Sequence, residues 1–393
     1  MTRLALLAVA VSAVGVAARL TAAPPPGPPA EKYWVFLGTY TGGPGGSKGI
    51  YRCELDAATG RLSEPELAAE VTSPSFLTFR PDGKVLYAVG ETGGKDGGGV
   101  FAYTVDAASG KLTKLAEATS GGPGPCHVVT DPSGRLLLVA NYGGGSWKLF
   151  YLNPDGKFGS TIFNPLAGTG PNKQRQEKPH AHCGAFHPAG GKFFVADLGT
   201  DKVWAYRVSL TEVNEPGRQG YQLGTGDNLD PLVLPPGAGP RHLVMSAAGD
   251  RMFVCGELDS TLNVFAFTDQ GTNKLLQSIS TLPDGKPVPG NSTAEVRIHP
   301  NGRFVYVSNR GHNSIAAFRW DGAKLTPVGH ATEGIKTPRN FNLDPTGKWM
   351  LVANQDGDSV VVFAVDPETG LPKPTGNSVT VGRPVCVKFL AKP

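Results

Sequence analysis

Imidazole, guanidinium and carboxylate side chains recur in this chain at the ends of short apolar runs. Ser75, Cys126-His127, His180-Ala181-His182, Arg241-His242, Glu295 and Arg339-Asn340 stand at the start of one class of run. Glu91, Asn141-Tyr142, Asp197, Glu257, Asn309-Arg310 and Asn354-Gln355 stand just after another. Four of the eight histidines fall in this set, which random placement on a surface would scatter. These types suit proton transfer and anion binding. Histidine titrates near neutrality, and the guanidinium fork matches carboxylate and phosphate oxygens. Gathered in one place, they would make a pocket for an anionic, oxygen-rich small molecule. Plainer roles compete. Asn141, Asp197, Asn309 and Asn354 could cap turns through local backbone, and Arg241 or Arg310 could simply bridge to Glu257. His180 and His182 give two ligands of a known metal-binding type without a supporting carboxylate spacing, so no metal and no cofactor is expected. The Gly-rich strings GTYTGG (38–43) and NYGGGS (141–146) lead into no helix, which separates them from phosphate-binding loops.

What could gather such scattered residues is a repeat. PSFLTFRPDGKVLYAVGE (74–91), PCHVVTDPSGRLLLVANY (125–142), PHAHCGAFHPAGGKFFVADL (179–198), PRHLVMSAAGDRMFVCGE (240–257), TAEVRIHPNGRFVYVSNR (293–310) and PRNFNLDPTGKWMLVANQ (338–355) share one plan. Each has a short strand, a Gly-containing turn and a strongly apolar second strand. Gly supplies the positive φ that tight hairpins need. Third strands follow, as in KVWAYRV (202–208) and SVVVFAV (359–365). Second strands such as LLLVA (136–140) and WMLVA (349–353) are apolar at nearly every position, so both faces must be covered. Four antiparallel strands per unit at this period predict the blades of a β-propeller.

The two ends supply the missing unit. PVCVKFL (384–390) reads as a first strand without a second, and YWVFLGTY (33–40) as a second strand without a first. Pairing them closes a seven-bladed ring with no exposed sheet edge. Because first and second strands are antiparallel, the residues just after each first-strand start and just after each second-strand end crowd one mouth of the central channel. His187 and His299 fall in the hairpin turns, at the opposite mouth, and read as structural.

Composition bounds the rest. A formal net charge of +4, without a basic stripe, gives no support to nucleic-acid binding, and no nucleic acid is expected as a partner. Arg3 and the apolar run 4–18 read as a signal peptide over 1–23, followed by a Pro-rich linker over 24–32 and the propeller over 33–393. The reading predicts a periplasmic or secreted protein, with no membrane contact beyond an uncleaved leader. Cys53, Cys126, Cys183, Cys255 and Cys386 form no CxxC pair and lie in apolar strands, where they are expected as buried thiols.

Taken in order, LGTYT (37–41), PCHV (125–128), VANYGGGS (139–146), HAH (180–182), DLGTDKVWAY (197–206), GPRH (239–242), GELDSTLNVF (256–265), HPNGRFVYVSNRGHNSIAAF (299–318), PRNF (338–341) and VANQ (352–355) resemble the seven-bladed propeller lactonases of the 6-phosphogluconolactonase type, relatives of fungal carboxymuconate cyclases. The resemblance implies lactone-ring chemistry, with His182 (or His180), Arg241, Glu257 and Arg310 in the active site. These are among the positions selected above from strand geometry. Lactone hydrolysis would then use Glu257 or His182 as base and Arg241 and Arg310 at the oxyanion. His127, His180, His242, Arg339, Asn340 and Gln355 would bind a small-molecule lactone. A non-catalytic exported propeller and a lactonising enzyme are the alternatives. The family often carries Asn before the Glu where this chain has Gly256, which predicts a looser pocket.

Overall fold

The computed structural model describes residues 30–42, 46–94, 97–215, 218–267 and 273–393. The leader and most of the linker expected over 1–32 lie outside the described residues. The described chain forms seven four-stranded antiparallel sheets. Blade 1 comprises Leu77–Phe79, Val85–Gly90, Gly99–Val105 and Leu112–Thr119; blade 2, Pro125–Thr130, Leu136–Asn141, Ser146–Leu152 and Phe158–Pro165. Blade 3 comprises Ala181–Phe186, Lys192–Asp197, Lys202–Glu215 and Arg218–Val233; blade 4, Pro240–Met245, Arg251–Gly256, Thr261–Phe267 and Asn273–Ser280. Blade 5 comprises Ser292–Ile298, Phe304–Arg310, Ser314–Trp320 and Leu325–Ala331; blade 6, Pro338–Leu343, Trp349–Asn354, Ser359–Val365 and Pro372–Thr380. Blade 7 takes Pro384–Ala391 from one end of the chain and Lys32–Thr39, Gly49–Asp56 and Glu66–Glu70 from the other.

Each first strand touches the first strands of the two neighbouring blades, round to blade 7 against blade 1, so these seven strands wall the channel. Closure is the predicted one. Tyr33 pairs with Ala391, Leu37 with Val387 and Thr39 with Pro384, and Lys392 reinforces the seam by pairing with Glu54.

The hairpin turns explain why the blades form. In blade 2, Asp131 Oδ1 accepts the amides of Arg135 and Leu136 at 2.8 and 2.7 Å, and Gly134 takes φ 69°. Asp344 and Gly347 repeat the arrangement in blade 6. His187 and His299 stand at the Asp position of this turn, and the His299 ring bonds Gly347 O at 3.0 Å. Between blades the sheets bury their apolar faces on each other. Leu136, Leu138 and Ala140 of blade 2 pack with Phe193 and Val195 of blade 3, all fully buried. Each such large apolar side chain contributes about 1.5–3 kcal/mol. All five cysteines are free and buried.

One blade exceeds its predicted length. Its third strand runs past 208 to Glu215 because alternation continues, with Val208 and Leu210 buried and Ser209 and Thr211 exposed. Tyr221 of the returning strand stacks under Arg135 of blade 2, 3.9 Å from the guanidinium.

Candidate active site

Pro125 pairs with Asn141, Ala181 with Asp197, Pro240 with Gly256 and Pro338 with Asn354. First-strand starts and second-strand ends therefore meet at one mouth. The strand-end amides there turn inward to the blade. Asn141 Nδ2 donates to Ser120 O and Ser146 Oγ, Asn309 to Thr281 O and Ser314 Oγ, and Asn354 to Gly334 O and Ser359 Oγ. Asp197 plays the same part toward His180 N, Thr200 and Trp204. These four are turn caps, and two of them, Asn141 and Asn309, are followed directly by residues that line the cavity, Tyr142 and Arg310.

The residues that do face it line a cavity of about 320 Å³: Glu91, Cys126, Tyr142, Arg175, His182, Glu257, Ser292, Arg310 and Arg339. Beneath it lies a pit of about 10 Å³, roomy enough for about one water, which adds Arg241, His242, Ser75 and Phe76 to the lining. Larger clefts of about 580 and 700 Å³ lie elsewhere, one walled by Phe101 and Tyr103 and the other by Ala57 and Val365. Among the described residues, the charged ones lining them are only Glu70 and Lys114 in the first and Lys348 in the second, so volume does not choose the site; chemistry does.

Glu257 is the hub. Its Oε1 lies 2.7 Å from Arg175 Nη2, and its Oε2 lies 2.9 Å from Arg241 Nε and 3.1 Å from Arg310 Nη2. The Arg241 interaction is electrostatic, since that N–H is not aligned on the oxygen. Burial alone would raise the Glu257 carboxyl, but Arg310, Arg241 and Arg175 hold it down to about 2. Arg241 is buried and donates to Ala294 O at 2.6 Å, and Arg310 donates to Thr293 O at 3.0 Å. Arg339 lies over the Tyr40 ring, whose hydroxyl donates to Glu91 at 2.9 Å. Four guanidinium groups thus face two carboxylates, Glu257 and Glu91. The imbalance is felt locally. Burial, only partly offset by Glu257, combines with Arg241 and Arg339 to push Arg310 down to about 10. His182 is held neutral, well below its ordinary value, by burial and then by Arg241 and His242. Its Nδ1 is buried with no hydrogen-bond partner among the described residues.

His182, Arg241, Glu257, Arg310, Arg339 and His242 thus converge. The other expected residues lie behind them. His127 stacks on Phe76 at 4.1 Å and accepts Gly184 N on Nδ1. Asn340 donates to Glu295 and accepts Val387 N at 2.9 Å. His180 stacks on Tyr142 at 4.6 Å and bonds Tyr142 O and Glu177. Gln355 bonds its neighbour Asp356. None of these four lines the cavity. Gly256 does not loosen the site either, because the space a Cβ would take is filled by Asp259 Oδ1 at 2.3 Å and Thr261 Oγ1 at 2.7 Å.

Arg175 is the cavity residue that strand reasoning passed over. It sits in the connector 166–180, the longest between blades, and belongs to no repeat unit. That excess length, with a polar tip of Asn-Lys-Gln-Arg-Gln-Glu-Lys at 172–178, is the signal that marks it. Among the described residues no group of three or more His, Cys, Asp or Glu side chains is placed to hold a metal ion. Nor is any helix there long and apolar enough to cross a membrane.

Residues 34–389 match the family model described as "Lactonase, 7-bladed beta-propeller". The chain is 35% identical over 364 residues to a 6-phosphogluconolactonase of Bacillus subtilis, covering 91% of this chain and 99% of that one. It is 32% identical to a 6-phosphogluconolactonase of Formosa agariphila, over 86% of this chain and 93% of that one. Among solved structures, the periplasmic gluconolactonase of Pseudomonas aeruginosa superposes with a TM-score of 0.82 at 32% identity, covering 92% of this chain and 100% of the other. Fold, sequence and spacing agree, and the chain belongs to the seven-bladed β-propeller lactonase family.

Proposed function

We propose that the chain hydrolyses a sugar lactone at the arginine-walled mouth. The observation that carries this reading is the surplus of guanidinium over carboxylate around a neutral, buried His182. Water adds to the lactone carbonyl carbon, negative charge gathers on the carbonyl oxygen, and the ring C–O bond then breaks to release an open-chain aldonate. Arg241 and Arg310 are held in place by backbone carbonyls, so they meet the developing oxyanion without reorganising. His182 takes the proton from water and returns it to the departing ring oxygen. Glu257, with both carboxylate oxygens engaged by Arg175, Arg241 and Arg310, serves to orient the arginines. Substrate charge would itself lift the His182 basicity by offsetting the guanidinium groups that depress it. Arg339 and His242 line the binding wall, while His127, His180, Asn340 and Gln355 support it from behind.

The test is release of acid from δ-gluconolactone and 6-phosphogluconolactone, followed at constant pH. Wild type is expected to hydrolyse at least one, and folded Arg241→Ala to lose about 10²–10³-fold in kcat. Wild-type rates no faster than buffer would sink the reading. A periplasmic or secreted location follows from the leader-like start and accords with the periplasmic relative. Fractionation of the producing cell checks it.

A further inference from the structure

We infer that Arg175, carried on the connector 166–180, is the specificity residue that reads an anionic substituent of the substrate, a phosphate or a carboxylate. The inference rests on the lactonase reading for its reaction and on the strap's own geometry for its role.

The strap is built to hold one side chain over the cavity. Gln176, fully buried, ties its tip to the body of blade 3, donating to Leu198 O at 2.9 Å and Asp201 Oδ1 at 2.7 Å. Gln176 also closes the tip on itself, its Oε1 accepting Asn172 N at 3.0 Å and its backbone amide donating to Asn172 O at 2.7 Å. Asn172 Oδ1 accepts the amides of Gln174 and Arg175 at 3.1 and 3.2 Å. Gly170 leaves the room this needs, since a Cβ there would lie 2.5 Å from the Gln176 amide carbon. Past the tip, Lys178 bonds Gly143 O at 2.8 Å. Arg175 is therefore presented from a pinned turn.

Its guanidinium differs from the other three. Arg241, Arg310 and Arg339 sit deep against backbone or an aromatic ring, whereas the Arg175 side chain is 42% exposed at the outer rim. Nη2 bonds Glu257 at 2.7 Å and Tyr142 Oη at 3.2 Å. Nε and Nη1 make no hydrogen bond to the described residues, leaving donors on the solvent side. A lactone with its ring in the cavity would direct its far substituent toward that rim. The positive surplus of the lining gives an anion there a partner that Glu257 and Glu91 do not consume.

The experiment compares wild type with Arg175→Gln and Arg175→Lys on three lactones: neutral δ-gluconolactone, 6-phosphogluconolactone and a carboxylated glucarolactone. Without a charged donor at the rim, kcat/KM for the anionic lactones is expected to fall about 10–100-fold further than that for the neutral one. Lysine should recover only part, keeping the charge but not the planar set of donors that lets one side chain hold Glu257 and the anion together. The phosphate and carboxylate arms show which anion is preferred. Calorimetric binding of 6-phosphogluconate against gluconate repeats the comparison without turnover. Equal losses on neutral and anionic lactones, or no anion preference in wild-type binding, would overturn the assignment. Wild-type anion preference that Arg175→Gln removes, in a protein hydrolysing no lactone, would leave the strap's role standing and remove the lactonase reading instead.

Discussion

The two halves of the channel use the same residue types to opposite ends. In the lower half, Glu295 is fully engaged. It meets His242 Nδ1 at 3.0 Å, the backbone amide of Val296 at 3.0 Å, Arg297 at 3.3 Å, and the Asn340 side-chain amide. Lys388 closes over the Phe76 ring, 4.6 Å away. The carboxylate is saturated with partners, and almost no open space is left around it. In the upper half, Glu257 meets three arginines and a fourth lies nearby, with open volume above them. A buried ion network that is complete holds a structure together. One left short of negative charge around a void holds a place for a ligand.

That contrast can be broken at four points, in descending order of effect. Arg241→Ala or His182→Ala strips the upper half, and about 10²–10³-fold loss of kcat is expected with the fold retained by circular dichroism. Glu295→Ala strips the lower half. It leaves His242, Arg297 and Asn340 without their acceptor and should cost about 3–5 kcal/mol, read from denaturant unfolding. Glu257→Gln sharpens the comparison, because it raises the positive surplus. Inorganic phosphate should bind about tenfold more tightly by calorimetry while turnover falls. Unchanged phosphate affinity would mean that Glu257 does not set the anion affinity of the mouth. Acidification is the mildest probe. Burial holds His242 down to about 4, so the unfolded chain takes up a proton near 6.5 that the folded one resists, and stability falls as pH drops between those values. Against the cost of burial, Arg297 and His242 hold Glu295 down to about 2. Its stabilisation is present above the ordinary carboxylate range and is lost as pH falls from about 4.5 toward 2. Melting temperature should therefore decline in two stages, with His242→Asn flattening part of the first.

The repeat made the fold legible. Apolar second strands and Gly-containing turns mark six blades, and the unpaired strands at 33–40 and 384–390 mark the seventh. Placement at strand ends likewise brought His182, Arg241, Glu257, Arg310, Arg339 and His242 to one mouth. It could not say which way a side chain turns. Asn340 follows Arg339 directly, so adjacent strand residues alternate in direction, one toward the cavity and one toward Glu295. His127 is turned in the same way into the packed lower channel, against Phe76 and His242, and misses the cavity. Arg175 escaped because its position depends on no repeat, only on a buried glutamine one residue away.

The blade shared by both ends carries a temporal consequence. Every charged side chain that lines the mouth is synthesised before Pro384, yet the wall beside Phe76 and Arg339 is absent until the final strand docks against Lys32–Thr39. A chain in which that strand has not docked owns the whole inventory of charged groups and no enclosure to put it in, so competence should arrive in a single step, on closure of the ring, rather than blade by blade.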